Sequence, residues 1–186
     1  LHKEKISLAG GVYIFICTFF YLILVLTFYK SKAEIFFNIT TEYLNFFIIS
    51  FIFFLIGFFD DKKNLSPNSR IFFTSLASLI VIFLDKDLIL NSISIFNFEI
   101  NFSYEIIAII FTVFCIIVLI NALNMIDGIN LQFSFYFILV ILFITLKKPN
   151  VIYPLFLIPM IFFSILNSRS KIFMGDAGTY SISFFL

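Results

Sequence analysis

Uncharged apolar stretches organise the chain. They cover residues 6–29, 43–59, 71–84, 106–126, 128–146 and 149–168, and another begins at residue 177. A helix crossing the hydrocarbon core of a bilayer needs about 20 apolar residues, with a range of about 17–25. Five of the stretches fit that length outright. The stretch at 71–84 reaches it once its helix starts at Pro67, because proline is favoured in a first turn. Apolar residues fill every face with no period-two alternation, so helices follow rather than strands. The pattern predicts an all-α polytopic membrane protein, a single integral domain over 1–186 with six full transmembrane helices and the start of a seventh.

Residues 88–102 (LILNSISIFNFEINF) behave differently. Asn91, Asn97, Glu99 and Asn101 interrupt the apolar run in loose alternation, which predicts a short extracytoplasmic hairpin between two spans.

Composition agrees with a bilayer as the solvent. The chain is 62% hydrophobic and 12% charged, where soluble domains carry about 25% charged residues. A net charge of +1 leaves no basic patch, so nucleic acid is excluded as a partner. The 31 phenylalanines accompany many Ile, Asn and Lys residues, all written with A/T-rich codons, and are read as base composition of the gene. Cys17 and Cys115 fall inside apolar runs and are expected to be small packing residues rather than a disulfide. The chain starts at Leu1, and a piece of a longer protein is expected.

Charge also sets an orientation. Lys3, Lys5, Lys62, Lys63, Arg70, Arg169 and Lys171 fall on one side; Lys30, Lys32, Lys86, Lys147 and Lys148 fall on the other. Basic residues favour the cytoplasm, so the first set is placed there. All six glycines share that side. Glycine allows backbone to approach a ligand closely, so any chemistry is expected on the same face.

Asp60, Asp61, Asp127 and Asp176 also lie on that side, at the ends of spans. A carboxylate at a helix C-terminus opposes the macrodipole, costing about 0.3–1 kcal/mol, and adjacent carboxylates repel. A bound cation would offset both costs. With oxygen ligands and no Cys or His nearby, Mg²⁺ or Mn²⁺ is favoured over zinc. Asn121 and Asn124 precede Asp127 at helical spacing, which fits either helix packing or a polar face at the site. An ionisable pathway through a transporter is disfavoured, since every predicted span is charge-free at its centre.

The strings GFFDDKKNLSPNSR, NALNMIDG and KIFMGDAGT, preceded by KISLAGG, resemble the polyprenyl-phosphate N-acetylhexosamine-1-phosphate transferases. That family contains undecaprenyl-phosphate GlcNAc-1-phosphate and phospho-MurNAc-pentapeptide transferases. The resemblance implies transfer of a sugar-1-phosphate from a UDP-N-acetylhexosamine to polyprenyl phosphate, giving polyprenyl-diphospho-sugar and UMP. It also implies a multi-pass protein of the bacterial inner membrane with a cytoplasmic active face, serving peptidoglycan, lipopolysaccharide or another envelope polysaccharide. Asp176 is then expected as the main Mg²⁺ (or Mn²⁺) ligand, and Asp127 as a metal or nucleotide contact. Asp60 and Asp61 would arrange the lipid phosphate and the metal. Lys63, Arg70 and Lys171 are candidate phosphate contacts, and Asn121, Asn124, Asn167 and Gly175 are candidate substrate-binding residues.

Two departures stand out. Asn130 and Leu131 replace the second Asp-Gly that many relatives carry, and His2 is the sole histidine where relatives have a later histidine loop. The chain is thus expected to be part of a transferase of about ten or eleven helices and to be inactive alone; a homodimer that completes the site, or a non-catalytic relic, are the alternatives.

Overall fold

The computed structural model describes residues 8–28, 33–95, 98–147 and 152–183. Seven helices and one hairpin follow in chain order: α1 (Gly10–Phe28), α2 (Ala33–Lys63), α3 (Pro67–Leu84), β1 (Ser92–Ile95), β2 (Phe98–Asn101), α4 (Glu105–Asp127), α5 (Gln132–Lys147), α6 (Ile152–Ser168) and α7 (Gly175–Ser183). α3 begins where the sequence predicts, with Pro67 in its first turn and the Ser66 hydroxyl accepting the Ser69 N–H at 3.3 Å. The hairpin at 88–102 also forms. It pairs Ser92 with Asn101, Ile93 with Ile100, Ser94 with Glu99 and Ile95 with Phe98, antiparallel; Asn97 lies outside the described residues.

Of the six full spans expected, the described residues support two. Among the described residues, α3 and α4 are long and apolar enough to cross a membrane. α5 and α6 have 16 and 17 residues. For α5 the reason is local: the stretch at 128–146 spends its first residues on a turn in which Leu131 takes a left-handed φ of 66°. The outer surface is nonetheless apolar, with Phe20, Phe72, Phe83, Phe114 and Phe143 all exposed. Two apolar helices and such a surface fit a membrane protein.

α7 sits at the centre. It packs against α1, α2 and α4, and all its residues except Asp176 are buried. It joins two apolar clusters. Ile182, with Met174 just before the helix, belongs to one with Ile14, Leu123 and Phe137; Tyr180 belongs to the other with Phe53, Val81 and Ile120.

Glycines make this packing close. A Cβ on Gly11 would overlap the backbone of Gly178, and one on Gly57 would overlap the backbone of Asp176. The first N–H groups of α1 also find partners here: Gly10 donates to the Phe173 carbonyl at 3.1 Å and Gly11 to the Met174 carbonyl at 2.7 Å. The shared side of the glycines was expected to mark approach to a ligand. These contacts show helix backbones approaching one another instead, with Gly128 apart, its nearest non-neighbour atom 3.6 Å away in its own helix turn.

This packing makes a prediction. Gly57→Ala should destabilise the fold by about 1–3 kcal/mol through overpacking, whereas Gly128→Ala should fall within about 0.5 kcal/mol of the parent chain. Reversible unfolding in mixed micelles measures both, and equal effects would refute the tight seam.

Candidate active site

The site is assembled around the amino end of α7. The first N–H groups of any helix lack intrahelical acceptors and carry its positive pole. Here two aspartates from other helices supply the acceptors. Asp127, the last residue of α4, accepts from Met174 at 3.3 Å and Gly175 at 3.0 Å. Asp61, in the last turn of α2, accepts from Asp176 at 2.9 Å and Ala177 at 3.0 Å. Four consecutive N–H groups thus meet two carboxylates, each through both oxygens. Gly175 takes a φ of 73° there, which glycine adopts without strain.

Asp60 lies within hydrogen-bonding reach of the Asp176 side chain. The Asp60 side chain is fully buried, accepts the Leu65 N–H at 2.9 Å and the Tyr180 hydroxyl at 3.3 Å, and forms an ion pair with the Arg70 Nε at 2.7 Å. Arg70, on the first turn of α3, also directs Nη2 to within 3.9 Å of Asp176 and stays one-third exposed. Asp176 is the least committed of the four carboxylates. Burial pushes its carboxyl up to about 6, and the charges of Asp60 and Asp61 push in the same direction, opposed by a hydrogen bond with Asn124. The Asp61 carboxyl is also raised, first by burial, although its two backbone donors pull the other way.

The other expected residues divide clearly. Asn124 joins the cluster, with its Oδ1 also accepting from the Thr179 hydroxyl at 3.4 Å. Asn167 is buried and acts as a clasp: its Oδ1 accepts the Leu131 N–H and its Nδ2 donates to the Ile172 carbonyl at 2.8 Å. It ties the α4–α5 turn to the α6–α7 turn, where Asn130 also donates to the Ser170 hydroxyl. Asn121 is exposed and returns its Nδ2 to the Ile117 carbonyl of its own helix at 2.8 Å. Lys63 and Lys171 are exposed, and the Lys63 ammonium lies 5.9 Å from the centre of the Phe59 ring. These three form no contact with the carboxylates among the described residues. Tyr180 and Thr179 were missed by the sequence reading, although their spacing of four and three residues from Asp176 puts them near it on the helix.

The donor set suits a hard cation. Two of the four carboxylates pair with the one guanidinium, and three of the four carboxyls hold protons more tightly than usual. Among the described residues no three acidic, His or Cys side chains converge as a ready-made metal cage. A Mg²⁺-type ion held by one carboxylate, with water and phosphate filling its other positions, fits Asp176.

The sequence profile described as glycosyl transferase family 4 matches residues 43–186, a region that contains all four aspartates. The chain belongs to that family. It is 28% identical over 197 residues to the phospho-N-acetylmuramoyl-pentapeptide-transferase of Petrotoga mobilis, an alignment covering 97% of this chain and 59% of the relative. The chain thus spans less than two-thirds of that family member's length. No solved structure matches it.

Two outcomes are expected of this family 4 site. Asp61→Ala and Asp127→Ala should each cost about 1–3 kcal/mol of stability without any substrate, as charged acceptors are lost from buried N–H groups, whereas Asp176→Ala should cost far less. Parallel unfolding of the three variants tests this, and an equal loss at Asp176 would refute the division of roles. Stability should also depend on pH. Asp127 and Asp176 each hold a proton up to about 6 when folded, against 3.8 ordinarily, chiefly because of burial. The folded chain therefore binds more protons between those values, and stability falls as pH rises through that window. Unfolding in metal-free buffer should show this fall, reduced but not abolished in Asp176→Asn, where Asp127 still titrates.

Proposed function

We propose that this chain carries the catalytic face of an enzyme that transfers a sugar-1-phosphate from a UDP-N-acetylhexosamine to polyprenyl phosphate. The observation that carries the reading is the membrane-end cluster in which Arg70 lies between Asp60 and the partly exposed Asp176. In the reaction, an oxygen of the lipid phosphate attacks the sugar-bearing phosphorus. The bond to the uridylate oxygen breaks, and UMP leaves with that electron pair. Phosphoryl transfer of this kind depends on positioning and charge neutralisation more than on covalent help from the protein.

The residues supply those two needs. The N–H groups at the start of α7 are already occupied by Asp61 and Asp127, so phosphate is held elsewhere. Arg70 is the available donor, oriented by Asp60 through its Nε and left with part of its guanidinium exposed. Mg²⁺ bound through Asp176 would neutralise charge on the diphosphate. Asp127 and Asn124 fix the α4 end beside it, and the lipid phosphate, whose second pKa is about 6 by analogy with other phosphomonoesters, needs no strong base. The site-bearing helix ends face the cytoplasm of a bacterial inner membrane, as the bias of basic residues favours, and the product enters assembly of an envelope polysaccharide.

UMP release from UDP-N-acetylhexosamine, measured with polyprenyl phosphate and the protein in its full natural length, tests the reading. Activity should require Mg²⁺ or Mn²⁺ and fall by about 100-fold or more in Asp176→Asn. Lys147→Ala, at the opposite end of α5, should leave it unchanged. Equal rates in Asp176→Asn and the parent would remove Asp176 from the mechanism.

A further inference from the structure

The hairpin β1–β2 has two chemically distinct faces. Residues paired across an antiparallel ribbon point to the same side, and successive residues point to opposite sides. Ile93 with Ile100 and Ile95 with Phe98 therefore form one face; Ser92 with Asn101 and Ser94 with Glu99 form the other. The apolar face is uncovered: Phe98 is 78% exposed, and Ile95 and Ile100 are each 55% exposed.

Its root is anchored low on α4. The Leu90 N–H donates to the Thr112 hydroxyl at 2.9 Å, and that hydroxyl donates in turn to the Ala108 carbonyl at 2.8 Å. The Phe102 and Phe111 rings lie 5.1 Å apart. Thr112 is six residues beyond Ile106, where the uncharged stretch of α4 begins, and so about 9 Å along the helix axis. Three residues of extended strand rise about 10 Å. Even an upright hairpin would bring Ile93 and Ile100 only to about the level of Ile106. Ile95 and Phe98 would stand roughly 7 Å higher, at the outer edge of a headgroup layer about 5–7 Å deep.

We propose that this hairpin rests in the outer membrane interface, with Ile93, Ile95, Phe98 and Ile100 facing the lipid and Ser92, Ser94, Glu99 and Asn101 facing water. Phe83 and Leu84 at the end of α3, and Tyr104 and Ile106 at the start of α4, flank the hairpin in sequence and are all more than half exposed. An amphipathic element at this depth gains by burying its apolar side among the upper acyl chains, and Tyr104 is a residue type enriched at that level. A second protein copy is a poor occupant, because four side chains cannot supply the about 800 Å² per partner that a stable interface buries. The inference needs only the membrane reading of α3 and α4 and is independent of the transferase reaction.

The absence of tryptophan from the chain makes a direct test available. Phe98→Trp, Glu99→Trp and Phe114→Trp are each reconstituted in phosphatidylcholine vesicles, with or without bromine on the upper acyl chains. Brominated lipid should quench Phe98→Trp about twofold, as expected for an indole buried at the interface, and should barely affect Glu99→Trp, which aqueous iodide should quench. Phe98→Trp quenched by iodide and untouched by bromolipid would overturn the proposal. So would shielding from both quenchers, which would mean a protein partner. Phe114→Trp, on the exposed side of α4, must be quenched by lipid brominated deeper in the chains. Failure there overturns the membrane reading itself, whereas failure at Phe98→Trp alone overturns only the hairpin's placement. Should Phe98→Trp not fold, Ile95→Trp reports from the same face with the same expected result.

Discussion

The amino end of α7 is the constraint on which the other elements depend. Four successive N–H groups in a buried position require acceptors, and a buried donor left unpaired costs about 1–3 kcal/mol. The acceptors come from the ends of α2 and α4, through Asp61 and Asp127. Each aspartate sits at the negative end of its own helix, which is unfavourable in isolation. Both are directed at the positive end of α7, and the opposing dipoles are reconciled there without any added ion. The same contacts fix the helix ends to within hydrogen-bond distance of one another.

That arrangement separates the four aspartates by task. Two hold the backbone, and Asp60 is spent on Arg70, Leu65 and Tyr180. Asp176 is left without backbone donors to hold, partly exposed like Asp61, close to two other carboxylates and 3.9 Å from the only guanidinium that approaches it among the described residues. Crowded negative charge of this kind is unfavourable in itself, and protonation relieves part of it, as the raised Asp176 carboxyl shows.

The sequence made much of this legible, for identifiable reasons. Uncharged stretches located the helices, Ser66-Pro67 marked the start of α3, and Asn-rich alternation marked the hairpin. The four aspartates stood out because carboxylates interrupt an otherwise apolar chain. Their separate tasks were hidden. Asp61 bonds backbone N–H groups 115 and 116 residues away, and backbone donors leave no trace in residue type. Asn121 and Asn167 show the same limit from opposite directions. Helical spacing grouped Asn121 with the site, yet it turns back to its own helix. Asn167 carries an amide suited to substrate, yet both its ends are engaged in tying two turns together.

The composition of α7 follows from the same constraint. Within lipid, apolar side chains gain little by leaving one hydrocarbon surface for another, so helices associate through close packing and polar contacts. Gly178 and Ala177 permit the approach of α1 and α2, and larger residues would hold the backbones too far apart for Asp61 to reach its donors. Hydroxyls can occupy the remaining positions because they bond within the helix: Thr179 donates to the Gly175 carbonyl at 3.1 Å and Ser181 to the Gly178 carbonyl at 3.0 Å. Tyr180 spans both worlds, with its ring among Phe53 and Val81 and its hydroxyl on Asp60. A substitution that loosens this helix therefore shifts Asp60, and through it Arg70, before it touches any reacting atom. The packing of α7 and the placement of Asp60 and Arg70 thus rest on one set of bonds.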